Sequence, residues 1–231
     1  MHLTIASVVR NEADAFLASA LEAWKQFADH IIVLDDGSTD ATPDILKDAG
    51  VELHTQSSSM LGNEWPTRVK LWNLVKDQDW VVWCDADHVP SSNPKPHLKG
   101  AVSAFKVFDL WSETEYREDA WWTGHKRHWW SSVRMTALPK DFTGRWNERG
   151  VHSGHVPRNL PPAHPVEDCF MLHYGYSTPE LRAQKMKMYE EGWGPHLTPQ
   201  EKFHAKTILT KNPLTKPLPF EVTWPLHTAT P

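Results

Sequence analysis

The chain has 231 residues, 40% hydrophobic and 23% charged, an ordinary balance for a soluble globular protein with one sizeable core. Its formal net charge of −5 argues against a general nucleic-acid binder, although His125-Lys126-Arg127-His128 forms a local basic run. Two cysteines, Cys84 and Cys169, build no disulfide framework and fit a reducing compartment, and no apolar run approaches the ~18 residues that span a bilayer.

Leu3 to Val9 is short, apolar and rich in β-branched residues, and predicts a buried strand. It starts directly after Met1-His2 with no basic leader or cleavage site, so no signal peptide is expected and the expected location is cytoplasmic. From Glu12 the period changes: Phe16, Leu17, Ala20, Leu21 and Trp24 share one helical face. Ile31 to Leu34 predicts a second strand. Thr42-Pro43 predicts a helix start, with Thr as N-cap and Pro at the first helical position; Gly50 suits its C-terminal cap, and Val51 to His54 is a third strand. Strands alternating with helices in this way call for right-handed crossovers and a parallel sheet. A helix from about Pro66, carrying Val69, Trp72 and Val75, leads into a strand from Trp80 to Cys84.

Beyond Pro90, Ser91 to Pro96 is a turn-rich break and Ala101 to Leu110 alternates as a strand. Residues 111–165 are dense in Trp, His, Arg and Pro and predict functional loops or irregular cover. Cys169 to His173 predicts a further strand and Pro179 to about Glu191 a helix. The last 33 residues hold six prolines and predict an extended surface tail. The 13 tryptophans suit core packing, but a Trp face also stacks on the apolar side of a sugar. Trp121-Trp122 and Trp129-Trp130 are open to either use.

Two acidic clusters follow predicted strands: Asp35-Asp36-Gly37-Ser38-Thr39-Asp40 after Ile31 to Leu34, and Asp85-Ala86-Asp87 after Trp80 to Cys84. Carboxylates at the C-terminal ends of buried strands are costly unless solvated or met by a ligand, and in open α/β sheets ligands bind at that edge. The pair suggests a site for a nucleotide, its diphosphate and a divalent metal. Either cluster alone is weak, since Asp-Asp-Gly-Ser also makes an ordinary strand-end turn.

With Ser7-Val8-Val9-Arg10-Asn11-Glu12 and Leu172-His173-Tyr174-Gly175-Tyr176, followed by Arg182, Lys185 and Tyr189, these clusters resemble the family 2 glycosyltransferases of the GT-A fold. Residues 1–90 match well. Residues 145–190 match more loosely, chiefly to short single-domain enzymes of the type bacteriophages encode. The resemblance implies an α/β GT-A (Rossmann-like) domain over residues 1–231, with a mixed, mainly parallel sheet flanked by helices. It implies a nucleotide-binding half (1–90), an irregular Trp/His-rich acceptor half (91–192) and a Pro-rich C-terminal tail (193–231). The implied activity is transfer of a sugar from a nucleoside-diphosphate donor, most simply UDP-linked, to an acceptor hydroxyl, inverting by single displacement with Mn²⁺ or Mg²⁺. The acceptor is open among a glycan, a protein side chain and a modified DNA base, and the host cytoplasm would be the location of a phage-type enzyme.

The same resemblance implies residue roles. Asp87 is the expected direct metal ligand, His173 completes the metal shell, and Asp85 reaches the ribose or a metal-bound water. Asp36 accepts the base N–H with Asp35 as helper, while Val8, Arg10 and Ala86 line the nucleotide. Arg68 reaches the base or diphosphate, or else lies on a solvated helix face. For the base that takes the acceptor proton, Val166-Glu167-Asp168 carries the family's x-Glu-Asp letters, so Asp168 with Glu167 is the expectation, and Asp119 and Glu148 are rivals. The segment Trp146 to His155 resembles one near the sugar and acceptor in related short enzymes; a plain tight loop is the alternative.

Other readings are a non-catalytic nucleotide-sugar or carbohydrate-binding module, and a haloacid-dehalogenase-like phosphatase, which normally opens its chain with Asp-x-Asp. A sugar-nucleotide pyrophosphorylase would want a Gly-rich loop after the first strand, and Val8 to Glu12 has no glycine. His152, His155, His164, Cys169 and His173 supply enough ligands for structural zinc, but at spacings that fit no common closed pattern.

Overall fold

The structure, a computed structural model, describes residues 1–57, 63–119, 129–148, 154–193 and 197–222. Its first half alternates as the sequence predicts: β1 (Leu3–Val9), α1 (Leu17–Lys25), β2 (His30–Asp35), α2 (Thr42–Asp48), β3 (Glu52–Thr55), α3 (Trp65–Val75) and β4 (Trp80–Trp83). The second half contributes β5 (His88–Pro90), β6 (Val102–Asp109), β7 (Glu115–Arg117), β8 (Trp129–Arg134) and β9 (His164–His173). It ends with α4 (Pro179–Met188), α5 (Pro199–Thr207) and β10 (Thr215–Pro217).

Eight strands form one mixed sheet in the order β3-β2-β1-β4-β8-β6-β9-β5. The four strands of the first half run parallel, as do β6 and β9; β4–β8, β8–β6 and β9–β5 are antiparallel. The period of two along each central strand divides the core. Leu3, Ile5 and Val9 of β1, Ile31 and Val33 of β2, and Trp80 and Val82 of β4 pack with Leu17, Ala20, Leu21 and Trp24 of α1. Ala6, Ile32, Leu34, Val81 and Trp83 face the other way, onto Leu71, Trp72 and Val75 of α3. Both faces are covered, which is why these strands read as continuous apolar runs. Trp83 stacks on Trp72 at 5.4 Å, and Trp24 lies fully buried with its indole N–H donating to the His88 carbonyl at 2.9 Å.

Four local expectations are revised. Thr42 lies inside α2, with Ala41 as N-cap, and its hydroxyl accepts the Glu12 N–H at 2.7 Å instead. Gly50 does follow that helix with φ +70°. Within the stretch read as irregular, β8 is a central strand whose Ser132 and Val133 are fully buried. The segment read as an extended tail contains α5, started by a reciprocal capping box in which Thr198 Oγ1 accepts from Glu201 N and Glu201 Oε2 accepts from Thr198 N. The helix predicted from Pro179 to about Glu191 is α-helical to Met188 and continues as a π-helical turn over Tyr189–Trp193. Among the described residues, no helix is long and apolar enough to cross a membrane.

Candidate active site

The parallel strands β1, β2 and β4 end on one edge, and their following loops are sewn together. Asn11, with φ +51°, donates its N–H to Ser38 Oγ and accepts from Thr39 N at 2.8 Å; Asp40 accepts from Ala13 N at 3.1 Å. Ser38 and Asp40 therefore serve the loop itself. Asp35 is buried at the end of β2 and accepts from Ser38 N, each oxygen at 3.3 Å. Asp36, also buried, accepts the Gln56 side-chain N–H on Oδ1 at 2.6 Å, while Arg10 Nη1 donates to its carbonyl at 3.3 Å. Val8, half-buried, sits one residue before the end of β1. Gln56 also donates to Thr67 of α3 at 3.1 Å, and the next residue, Arg68, meets Asp85 at 3.2 Å. One turn of α3 thus ties the first acidic cluster to the second.

The second cluster gathers side chains that the sequence keeps far apart. Register sets His173 of β9 opposite both His88 of β5 and Asp109 of β6. Asp87 lies between β4 and β5, and the Tyr174 N–H donates to its carbonyl at 2.8 Å. Asp87 Oδ2 is 3.3 Å from His173 Nε2 and 2.8 Å from Lys185 Nζ; its Oδ1 is 3.1 Å from His88 Nδ1. His173 Nδ1 is 2.7 Å from Asp109 Oδ1 and its ring stacks on His88 at 4.4 Å. Ala86 is buried between the two acids. Asp85 meets Arg68 and also His155 Nε2 at 2.9 Å, which brings a residue from the stretch between β8 and β9 onto the site.

The electrostatics follow from burial and these pairings. Burial alone would raise Asp87 and Asp85, but Lys185 and His173 hold Asp87, and His155 and Arg68 hold Asp85, well below the usual carboxylate range. Burial alone would lower His173; Asp87 and then Asp109 outweigh it and push the imidazole up to about 9. Burial, reinforced by Asp87, pushes the Glu12 carboxyl up to about 8. Burial pushes His155 down to about 4 despite Asp85 beside it.

A divalent cation fits this donor set. Asp87, His88 and His173 are the group of three or more potential metal ligands among the described residues, with ligand atoms within 4.8 Å of one another. Gly175 keeps the space open: a methyl there would overlap Asp87 Oδ2 and lie 2.6 Å from Lys185 Cε and 2.7 Å from His173 Nε2. His155, His164 and Cys169 form no such cluster with His173, which leaves structural zinc without a site among the described residues.

The four acids named as base candidates are not brought to Asp87. Glu167 and Asp168 are exposed on β9, where its register with β6 shifts between Val166 and Met171. Asp119 pairs with Arg117, which also donates to the Thr207 carbonyl. Glu148 is exposed. Residues 120–128 and 149–153 lie outside the described residues, and with them Trp121-Trp122, the basic run from His125, and His152. His88, Asp109 and Gln56 were not singled out from the sequence, and Glu12 and Gly175 entered only within the family-like stretches, with no role of their own. Asp109 carried the same signal as the two clusters, an acid at the end of an apolar strand, and His88 directly follows Asp87.

Several solved structures share parts of this architecture. S. aureus TarS residues 1–349 in complex with UDP aligns over 90% of this chain and 70% of its own at 13% identity, with a TM-score of 0.50. The fuller TarS chain gives 12% identity over 90% of this chain and 42% of its own, TM-score 0.45. Mycobacterium tuberculosis glucosyl-3-phosphoglycerate synthase with Mn²⁺, UDP and phosphoglyceric acid gives 23% identity over 47% of this chain and 43% of its own, TM-score 0.34. At these identities the TarS likeness speaks to fold alone. No curated protein matches the sequence significantly. The family model for glycosyl transferase family 2 matches residues 4–155, a stretch holding both acidic clusters and most of the sheet. That match leaves the phosphatase reading without support, and the chain belongs to glycosyl transferase family 2 and is a glycosyltransferase.

Proposed function

We propose that the enzyme moves a sugar from a nucleoside-diphosphate donor, UDP-linked in the simplest reading, to an acceptor hydroxyl, with a divalent cation and inversion at the anomeric carbon. One observation carries this: Asp87 Oδ2 and His173 Nε2 lie 3.3 Å apart at the strand edge, with His173 held on its other nitrogen by Asp109 and the buried Asp87 Oδ1 left without a hydrogen-bond partner among the described residues. Asp109 on Nδ1 orients the His173 ring so that Nε2 faces Asp87 Oδ2, and an ion bound there would take the place of the Nε2 proton. Asp87 and His173 would hold Mn²⁺ or Mg²⁺, with Asp85 directed at the ribose or a metal-bound water. The chemistry that the ion supplies is neutralisation of charge on the departing diphosphate. The mixed oxygen and nitrogen donors favour Mn²⁺ over Mg²⁺.

Asp36, buried at the strand end and accepting from Gln56 on Oδ1, is the carboxylate that would accept the base N–H, a contact that suits uracil. Arg10, Val8 and Asp35 line the same end, and Arg68 turns from Asp85 toward the diphosphate. Among the base candidates Glu148 has the best support. It is solvent-exposed and lies two residues past Trp146, whose ring meets Trp72 of α3 edge-on at 5.9 Å; His155, seven residues on, is bonded to Asp85. In the transfer the acceptor oxygen bonds to the anomeric carbon as the bond to the diphosphate oxygen breaks, and the carboxylate takes the hydroxyl proton.

The test is slow hydrolysis of UDP-sugars with Mn²⁺, read as released UDP. Glu148→Gln should lower transfer to an accepted acceptor by roughly 10²–10⁴-fold with little change in UDP affinity. A protein that binds UDP-sugars and never releases UDP would instead be the non-catalytic module.

A further inference from the structure

Asp87 Oδ2 is claimed twice. The ion read above would be held by Asp87 and His173, and His173 Nε2 lies 3.3 Å from Oδ2, yet the Lys185 ammonium already sits 2.8 Å from that same oxygen. The other oxygen lies 3.1 Å from His88 Nδ1, and it is Oδ2 that lies 3.3 Å from His173 Nε2, so an ion held by Asp87 and His173 meets the oxygen that Lys185 holds. A dication and an ammonium on one carboxylate oxygen repel strongly where solvent screening is poor, and the Asp87 side chain is only 7% exposed. They cannot share it comfortably.

Lys185 is also mounted so that it can leave. It projects from α4, a helix with no buried residue, and its side chain is 25% exposed. A lysine stem carries its charge on four flexible carbons, so the ammonium can move several ångströms without the backbone following. Because Gly175 has no side chain, Asp87 Oδ2, Lys185 Cε and His173 Nε2 can crowd together against its backbone, so the three groups compete for one small space. Past Met188 the chain turns into a π-helical segment, a form that concentrates at functional sites.

We propose that Lys185 is a displaceable internal counter-ion. It neutralises Asp87 when the site lacks nucleotide; when a divalent cation arrives with a nucleoside diphosphate, it gives up Asp87 and moves to the diphosphate. The consequence is coupling: the ion binds weakly alone and tightly with the nucleotide, because the diphosphate offers Lys185 a doubly charged partner in place of Asp87, whereas the nearby Glu12 carboxyl, pushed up to about 8, is largely neutral. This rests on the metal–diphosphate reading above, and adds to it that Lys185 opposes the ion in the free enzyme and assists the nucleotide in the complex.

Mn²⁺ titrations followed by electron paramagnetic resonance, on the full chain with and without UDP, test it. Lys185→Met should bind Mn²⁺ alone about tenfold more tightly than wild type and, at saturating Mn²⁺, bind UDP about tenfold more weakly. Lys185→Arg should follow wild type in both. Lys187→Met, which removes an equal charge from the exposed side of the same helix, should change neither. If Lys185→Met does not fold, by circular dichroism and thermal melting, Lys185→Gln takes its place. Unchanged or weaker Mn²⁺ binding in a folded Lys185 variant that still binds Mn²⁺ with UDP overturns the proposal alone. Absence of Mn²⁺ binding in the wild type, even with UDP, overturns the underlying metal–diphosphate reading and the proposal with it.

Discussion

Asp87 Oδ2 is where His173 and Lys185 meet, and the residues that set its surroundings are testable singly. His173 reaches Oδ2 and is itself oriented by Asp109 at 2.7 Å. Asp109→Asn should therefore weaken Mn²⁺ binding by roughly 10–100-fold while leaving the fold intact, as loss of an outer-shell partner typically does; isothermal titration in the presence of UDP measures it. Gly175→Ala should impair Mn²⁺ and UDP binding together, since its methyl would overlap Asp87 Oδ2. His155 gives a pH signature. Burial holds it down to about 4, against an ordinary value of 6.5, so between those values the unfolded chain binds a proton that the folded chain excludes. Folding stability contributed by His155 is complete above pH 6.5 and is lost as the pH falls toward 4. Urea midpoints measured across that window should fall more steeply for wild type than for His155→Asn; parallel slopes would contradict the assignment. The strand-end acids were legible in the sequence because a carboxylate after an apolar run has few inexpensive explanations. His88 and Asp109 were not, because their roles follow from which strands pair, and β5, β6 and β9 are distant in the chain.

At the level of elements, α1 supports the site through one bond. The fully buried Trp24 donates to the His88 carbonyl, fixing the start of β5 beside Asp87. Trp24→Phe should cost about 1 kcal/mol for the lost hydrogen bond, with some further packing loss, and Trp24→Ala about 3–5 kcal/mol, both read by urea unfolding. The βαβ half of the fold was readable because its crossovers are local and its strands are apolar throughout. β8 escaped because Trp129-Trp130-Ser131-Ser132-Val133-Arg134 shows neither an apolar run nor clean alternation; it is a strand because β4 and β6 present open edges on either side of it. The start of α5 was written plainly as Thr198-Pro199 with Glu201 two residues on, a capping signal outweighed in the reading by the proline content of the terminus.

Across the molecule, one sheet joins two differently built halves. Parallel β1, β2 and β4 bring Asp36, Asp85 and Asp87 to one edge, and the mixed strands β6, β9 and β5 return His173, Asp109 and His88 to the same place. Local pattern alone gives the first set; the second depends on pairings between strands far apart in the chain, β9 with β6 in parallel and with β5 antiparallel, that no short window of sequence encodes. The central claim is that these groups form a single cation and nucleotide site. Isothermal titration of UDP, with and without Mn²⁺, tests it most directly on wild type, Asp36→Asn and His173→Ala. The account predicts UDP binding that depends on Mn²⁺ in wild type, loses that dependence in His173→Ala, and weakens in Asp36→Asn with the dependence kept. UDP binding indifferent to Mn²⁺ in the wild type, or full Mn²⁺-dependent binding in His173→Ala, would contradict it.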